Sequence, residues 1–240
     1  MLVAVDRGFL DASLEAGGEV YSYQVFVPYA WSPTEEWPVI LFLHGAGERG
    51  TDGRQQVEVG LGPAVRRQEK RFPALVVFPQ CRPGLWWTDP DMEQMALAAL
   101  DAALERYNGD RDRVYLTGIS MGGYGTFHLA ARHPQRFAAA VPICGGVLPP
   151  PRVSRPLPPE LRDGDPYRKL AERLVSVPLW VFHGSADPIV PVTESRRIVA
   201  ALRAAGGRVK YTEYPGVGHN AWDRAYAEPG LFGWMLSHRK

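Results

Sequence analysis

The sequence runs to 240 residues, with 27 Lys and Arg against 26 Asp and Glu and a formal net charge of +1. That balance gives no electrostatic reason to meet nucleic acid or an acidic membrane surface, and no run approaches the roughly 18 apolar residues of a membrane span. Hydrophobic residues at 45% and charged residues at 22% are ordinary for a globular protein, and residues 1–240 are read as one domain.

Met1 to Leu14 carries Asp6, Arg7 and Asp11 rather than a basic stretch followed by an apolar one, so no secretory leader is read and a cytoplasmic location is expected. Val20 to Pro28 alternates like a half-exposed strand of an antiparallel pair. Pro38 to His44 and Ala74 to Pro79 are continuous apolar runs, the pattern of strands buried on both faces. Asp91 to Tyr107 puts Met92, Met95, Ala96, Ala99, Leu100, Ala103 and Leu104 on one helical face. Arg113 to Thr117 reads as a strand, and Gly122 to His133 as a helix stopped before Pro134. Strands follow at Ala138 to Ile143, Leu179 to His183 and Val209 to Tyr214. A helix over Thr193 to Ala205 ends at Gly206-Gly207, and a last one within Trp222 to Leu236 is interrupted by Pro229-Gly230. Strands and helices in alternation predict an α/β fold, a mostly parallel sheet covered on both faces. Val147 to Asp165 stands apart with six prolines, too many for a helix or a central strand. It leaves the carboxyl end of a strand, where such folds bind ligands, and is read as a loop near the site and a minimal lid.

Gly118-Ile119-Ser120-Met121-Gly122 matches G-x-S-x-G, preceded by a strand and followed by a helix. A tight strand-to-helix turn presents the serine above the sheet, so Ser120 is the expected nucleophile. The N–H of Met121 opens the helix, where free amides and the dipole favour an anion, which makes it the first expected oxyanion donor. Ser120 needs a base. Of six histidines, His219 lies in a glycine-rich loop after the last strand and leads; His44 and His183 end strands and are read as structural. The histidine needs an acid to hold its tautomer. Asp187 follows a strand and completes the order Ser, Asp, His; Glu194 and Asp223 are its rivals. The loop His44-Gly45-Ala46-Gly47 after the first buried strand supplies the second expected donor, Ala46 N–H, with Gly47 N–H next. No H-E-x-x-H or CxxC occurs, and no metal or cofactor is expected.

On LFLHGAGERG, VVFPQC, RVYLTGISMGGYGTF, FHGSADPIVPV and GHNAWDRAYAEPGLFGWML, the chain resembles α/β-hydrolases of the phospholipase/carboxylesterase type. More narrowly, it is similar to bacterial esterases called predicted peptidases of the dienelactone-hydrolase group. The resemblance runs from residue 41 to the C-terminus. It implies an α/β-hydrolase fold, in which the Pro-rich stretch 147–165, a short insertion after the sixth strand, matches no motif of the family. It also implies carboxylester hydrolysis by Ser120, Asp187 and His219, with Ala46 and Met121 as backbone oxyanion donors, on a small-molecule ester; the small Pro-rich insertion and the adjacent tryptophans suggest a short-to-medium acyl chain. A serine peptidase or acyl-peptide hydrolase is the alternative, followed by a feruloyl-type esterase and a non-catalytic binding protein on the same fold. Trp86, Trp87 and Gly45 lie where a substrate pocket forms, although the tryptophans are equally read as packing beneath a loop. Trp222 is expected in the core; Tyr124 and Gln80 are further pocket candidates. Cys81 and Cys144 follow strands that the fold separates by two others, roughly 14 Å at strand spacing and beyond disulfide reach, so free thiols are expected.

Overall fold

The computed structural model describes residues 6–151 and 153–240. Met1–Val5, the start of the stretch read as lacking a leader, and Arg152 of the Pro-rich segment lie outside the described residues. The chain opens with a hairpin, β1 (Gly8–Ala16) and β2 (Glu19–Val27), turned at Gly17-Gly18, whose φ values of 59° and 81° suit a two-residue hairpin turn. Then come β3 (Trp37–Leu43), α1 (Leu61–Arg66), β4 (Leu75–Phe78), α2 (Pro90–Arg106), β5 (Gly109–Ile119), α3 (Met121–Arg132) and β6 (Ala139–Ile143). The chain finishes with α4 (Pro166–Leu174), β7 (Leu179–Gly184), α5 (Thr193–Ala204), β8 (Val209–Tyr214), α6 (Trp222–Tyr226) and α7 (Leu231–Leu236). The eight strands form one sheet in the order β1-β2-β4-β3-β5-β6-β7-β8, antiparallel over β1, β2 and β4 and parallel from β4 to β8. This is the α/β-hydrolase fold.

Two cores explain why the central strands read as unbroken apolar runs. Val39, Leu41 and Leu43 of β3 pack with α2 to α5 on one face, whereas Ile40 and Phe42 pack with α1, α6 and α7 on the other. With a side-chain period of two and both faces covered, every position must be apolar. In β7, Leu179 and Val181 face the first core, and Trp180 and Phe182 the second.

Three elements go beyond the sequence reading. In β1, Leu10, Ala12, Leu14 and Ala16 are half-buried against the first core between exposed Asp11, Ser13 and Glu15. The alternation is present but weak, because an edge strand buries little. The short helix α1 carries Leu61, Ala64 and Val65 into the second core. At α4, Asp165 accepts the N–H of Tyr167 at 3.0 Å and Pro166 occupies the first turn, so the Pro-rich segment ends on a helix cap. From 147 to 165 the described residues form no longer element than the 3₁₀ turn Pro159–Leu161. Adding β1 makes β6 the sixth strand, with the Pro-rich insertion directly after it. At the C-terminus, Gly230 (φ 83°) separates α6 from α7 where Pro229-Gly230 interrupts the pattern.

Cys81 and Cys144 follow β4 and β6, with β3 and β5 between, and both are free, buried thiols. Burial pushes the Cys81 thiol up to about 12 and raises that of Cys144 further, so neither carries a ready thiolate. Among the described residues no helix is long and apolar enough to cross a membrane, and no group of three or more His, Cys, Asp or Glu could hold a metal ion.

The first turn of α3 presses on the end of β3. A Cβ at Gly122 would stand 1.8 Å from the Leu43 carbonyl oxygen, and one at Gly118 would stand 2.4 Å from the Gly122 oxygen. Both neighbours are backbone of central elements and have little room to withdraw. Gly122→Ala is therefore expected to cost about 3 kcal/mol or more of unfolding free energy by urea titration. A loss below about 1 kcal/mol would mean that the strand end yields.

Candidate active site

Ser120 sits between β5 and α3 with φ 52° and ψ −116°, a conformation that side-chain-bearing residues rarely adopt and that costs about 1–3 kcal/mol. The surroundings hold it there. Its N–H donates to Ile143 O at 3.0 Å, and its carbonyl accepts the N–H of Tyr124 at 3.1 Å. The turn lifts the hydroxyl off the sheet into a half-exposed position.

His219 and Asp187 meet it from two later loops. His219 Nε2 lies 2.8 Å from Ser120 Oγ, and His219 Nδ1 lies 2.7 Å from Asp187 Oδ2. A carboxylate only accepts, so Nδ1 carries the hydrogen and Nε2 is left to accept the serine proton. Asp187 is enclosed: its side chain is 0% exposed, against 19% for His219. Its Oδ1 accepts the N–H groups of Ile189 (2.8 Å) and Val190 (2.9 Å). Burial by itself would raise this carboxyl. Hydrogen bonds from His183, His219 and the two amides outweigh it and hold the group well below the usual carboxylate range.

His183 has more than the structural role read from its place at a strand end. Its Nε2 faces Asp187 Oδ2 at 3.2 Å and Val190 O at 3.0 Å, while Nδ1 faces Ser195 Oγ at 2.7 Å. Two acceptors at Nε2 place the hydrogen there, and Ser195 then donates to Nδ1. Asp187 is thus gripped by two imidazoles. The H-G-S-A-D spacing that puts His183 four residues ahead of Asp187 was the available signal. The rival acids lie elsewhere. Glu194 accepts from Val147 N, Leu148 N and the Tyr167 hydroxyl, and Asp223 from Asn220.

Met121 is the first residue of α3, so its N–H has no intrahelical acceptor. Ala46 begins a 3₁₀ turn after β3 and shares one cavity wall with Ser120 and Met121. Gly45 lies alongside, its Cβ position 3.7 Å from Ser120 Cβ. Arg49, unmarked by any motif, donates from Nε to Ala46 O at 2.9 Å and so orients that peptide. Beneath the loop His44 donates from Nδ1 to Gly45 O at 2.6 Å and accepts the Cys81 N–H on Nε2 at 2.9 Å. The expectation that Trp87 lines a pocket is corrected. It is wholly buried, its indole N–H donates to His44 O at 2.9 Å, and its ring meets the imidazole edge-on at 5.0 Å. The residue after a strand end faces inward here because the loop wraps over it. Gln80 is likewise internal, tying Gly53, Glu48 and Asp52 together. Trp222 is half-buried, packed against the second core, and meets His219 edge-on at 5.4 Å.

The cavity over Ser120 is about 220 Å³. Ala46, Trp86, Met121 and Tyr124 line it together with residues 188–191 and with Pro150, Pro151 and Val153, the wall that the Pro-rich segment supplies. Among the described residues no charged side chain lines it.

Burial pulls the His44 imidazole down to about 4 from 6.5, so it stays neutral in the fold. Between those values the unfolded chain binds the extra proton, and stability falls as pH drops through the window. Wild type is expected to lose about 3 kcal/mol more unfolding free energy than His44→Gln between pH 7 and pH 4, read by urea titration. Equal losses in the two proteins would assign the pH dependence to other groups.

A family profile described as "Dienelactone hydrolase family" matches residues 71–228. Esterase LipC of Mycobacterium tuberculosis is 27% identical over 221 residues, which cover 78% of this chain and 54% of that protein. The chain spans about half the length of that relative. A solved structure described as a thermostable esterase is 34% identical with a TM-score of 0.81, covering 97% of this chain and 63% of the other. The Staphylococcus aureus fluorophosphonate-binding serine hydrolase FphF shares the fold at 19% identity, with a TM-score of 0.74 and coverage of 95% and 98%.

Proposed function

The chain belongs to the dienelactone hydrolase family, and from that premise we propose that it is a serine carboxylesterase acting on small, neutral esters through an acyl-enzyme. The observation that carries the proposal is the hydrogen-bonded line from Ser120 through His219 to Asp187, opening on a cavity whose described lining carries no charge. His219 takes the Ser120 proton as the oxygen attacks the ester carbonyl, and Asp187 steadies the imidazolium that forms. The N–H groups of Met121 and Ala46 hold the oxyanion. His219 then protonates the departing alcohol, and water repeats the sequence on the acyl-enzyme. The relatives described as esterases support this reading.

Cavity size supports a short-to-medium acyl group: 220 Å³ falls below the roughly 300–1,000 Å³ of sites for drug-sized ligands. The described lining carries no charge and favours neutral groups, because a buried charge without a partner is costly.

Ser120→Ala is expected to lower kcat for p-nitrophenyl acetate and butyrate by about 10⁴-fold or more, with the circular dichroism spectrum unchanged. Unchanged turnover would overturn the assignment. Asp187→Asn is expected to lower kcat by about 10⁴-fold, since it leaves His219 without a partner that fixes its tautomer. Esters are expected to be cleaved in preference to anilides of the same acyl group; the reverse order would favour the peptidase reading.

A further inference from the structure

The Pro-rich segment is fastened on each side of the cavity wall, and further along by the Arg132–Glu160 pair and the buried Leu161. At its root, the buried Glu194 carboxylate accepts the N–H groups of Val147 and Leu148, each at 2.9 Å, and the Tyr167 hydroxyl at 2.6 Å. Tyr124 adds its hydroxyl to Leu148 O at 3.0 Å. These charge-assisted bonds in a buried setting make the root firm. The second fastening is at Arg155. Its guanidinium pairs with Asp89 and stands 5.4 Å over the Trp86 ring, which meets Tyr124 edge-on at 5.8 Å. Asp89 in turn accepts the Trp86 N–H at 2.8 Å.

Pro150, Pro151 and Val153 span the interval and face the cavity. Prolines offer no N–H to bond elsewhere. The hydrogen bond described here, Val153 N–H to Pro150 O at 2.8 Å, is local to the span. The wall's far end is thus positioned by Arg155, whose pair with Asp89 is about a quarter exposed on each side. Such a pair, with its cation–π contact, is strong enough to place a loop and too weak to carry the fold.

We propose that Arg155 determines substrate size: by pinning Pro150, Pro151 and Val153 across Trp86 to Asp89, it caps the hydrocarbon group that the cavity admits. The proposal rests on the ester-hydrolase reading of Ser120. Removing the pin frees the wall to swing out on its root and lets longer groups in.

The test is a chain-length series, p-nitrophenyl acetate to dodecanoate and acetates of ethanol to octanol, on wild type, Arg155→Met, Asp89→Asn and the double variant. Asparagine at 89 keeps an oxygen for the Trp86 N–H. In at least one series, the ratio of kcat/KM for the eight-carbon over the two-carbon group is expected to rise tenfold or more in Arg155→Met. Asp89→Asn should shift it the same way, and the double variant no further than the larger single effect, since both break one pair. A merely structural role lowers all chain lengths in proportion and leaves the ratio unmoved. Ratios within twofold of wild type in both series would overturn the cap. Should Arg155→Met unfold, Arg155→Lys, which keeps the charge but loses the planar fork, is expected to give a smaller shift in the same direction; no shift there overturns the cap as well. Fluorophosphonate labelling of Ser120 and acetate turnover in wild type separate the two readings. Their absence removes both, whereas their presence with an unmoved ratio removes the cap alone.

Discussion

The close approach of α3 to the end of β3 is the constraint on which the rest depends. Two glycines, 118 and 122, let backbone meet backbone where a Cβ would overlap it. Only in that compressed turn does Ser120 occupy positive φ with its hydroxyl raised above the sheet. The strain is local, and its support is not. Ile143 O, at the end of β6, holds the Ser120 amide, and β5 lies between β3 and β6 in the sheet. The turn is therefore as rigid as the centre of the molecule.

Around that fixed oxygen the polar groups divide into a rigid acid and a more exposed base. Asp187 is closed in by two amides and two imidazoles, which together offset the cost of burying its charge. His183 is itself locked by Ser195 and Val190 O. His219 has one face toward solvent and a ring edge against Trp222. Under the proposed mechanism this division is useful. The acid keeps its charge and place, while the base that shuttles the proton retains access to water.

Ester selection is then left to parts the chemistry does not use. The wall of prolines and Val153 belongs to the segment after β6, outside the sheet and helix layers. Glu194 holds the root of that segment, and Arg155 pairs with Asp89 beyond the wall.

Most of this architecture was legible along the chain. Continuous apolar runs at 38–44 and 74–79 announced strands covered on both faces, and G-x-S-x-G between a strand and a helix singled out Ser120. Local pattern determined these features because backbone period, turn sterics and proline chemistry act over a few residues. The edge strand β1 escaped notice because half-burial blurs its alternation, and Trp87 could not be told from Trp86 because one loop turn decides which ring faces in. Arg155 on Asp89 and Glu194 on the amides of Val147 and Leu148 carry no sequence mark of their pairing. Such contacts join residues whose distance along the chain says nothing about their distance in space. The sequence by itself determined the strands, the helices and the strained serine; only the tertiary structure decided which side chains grip the acid and which close the cavity, since those depend on how loops from separate strand ends come to rest against one another.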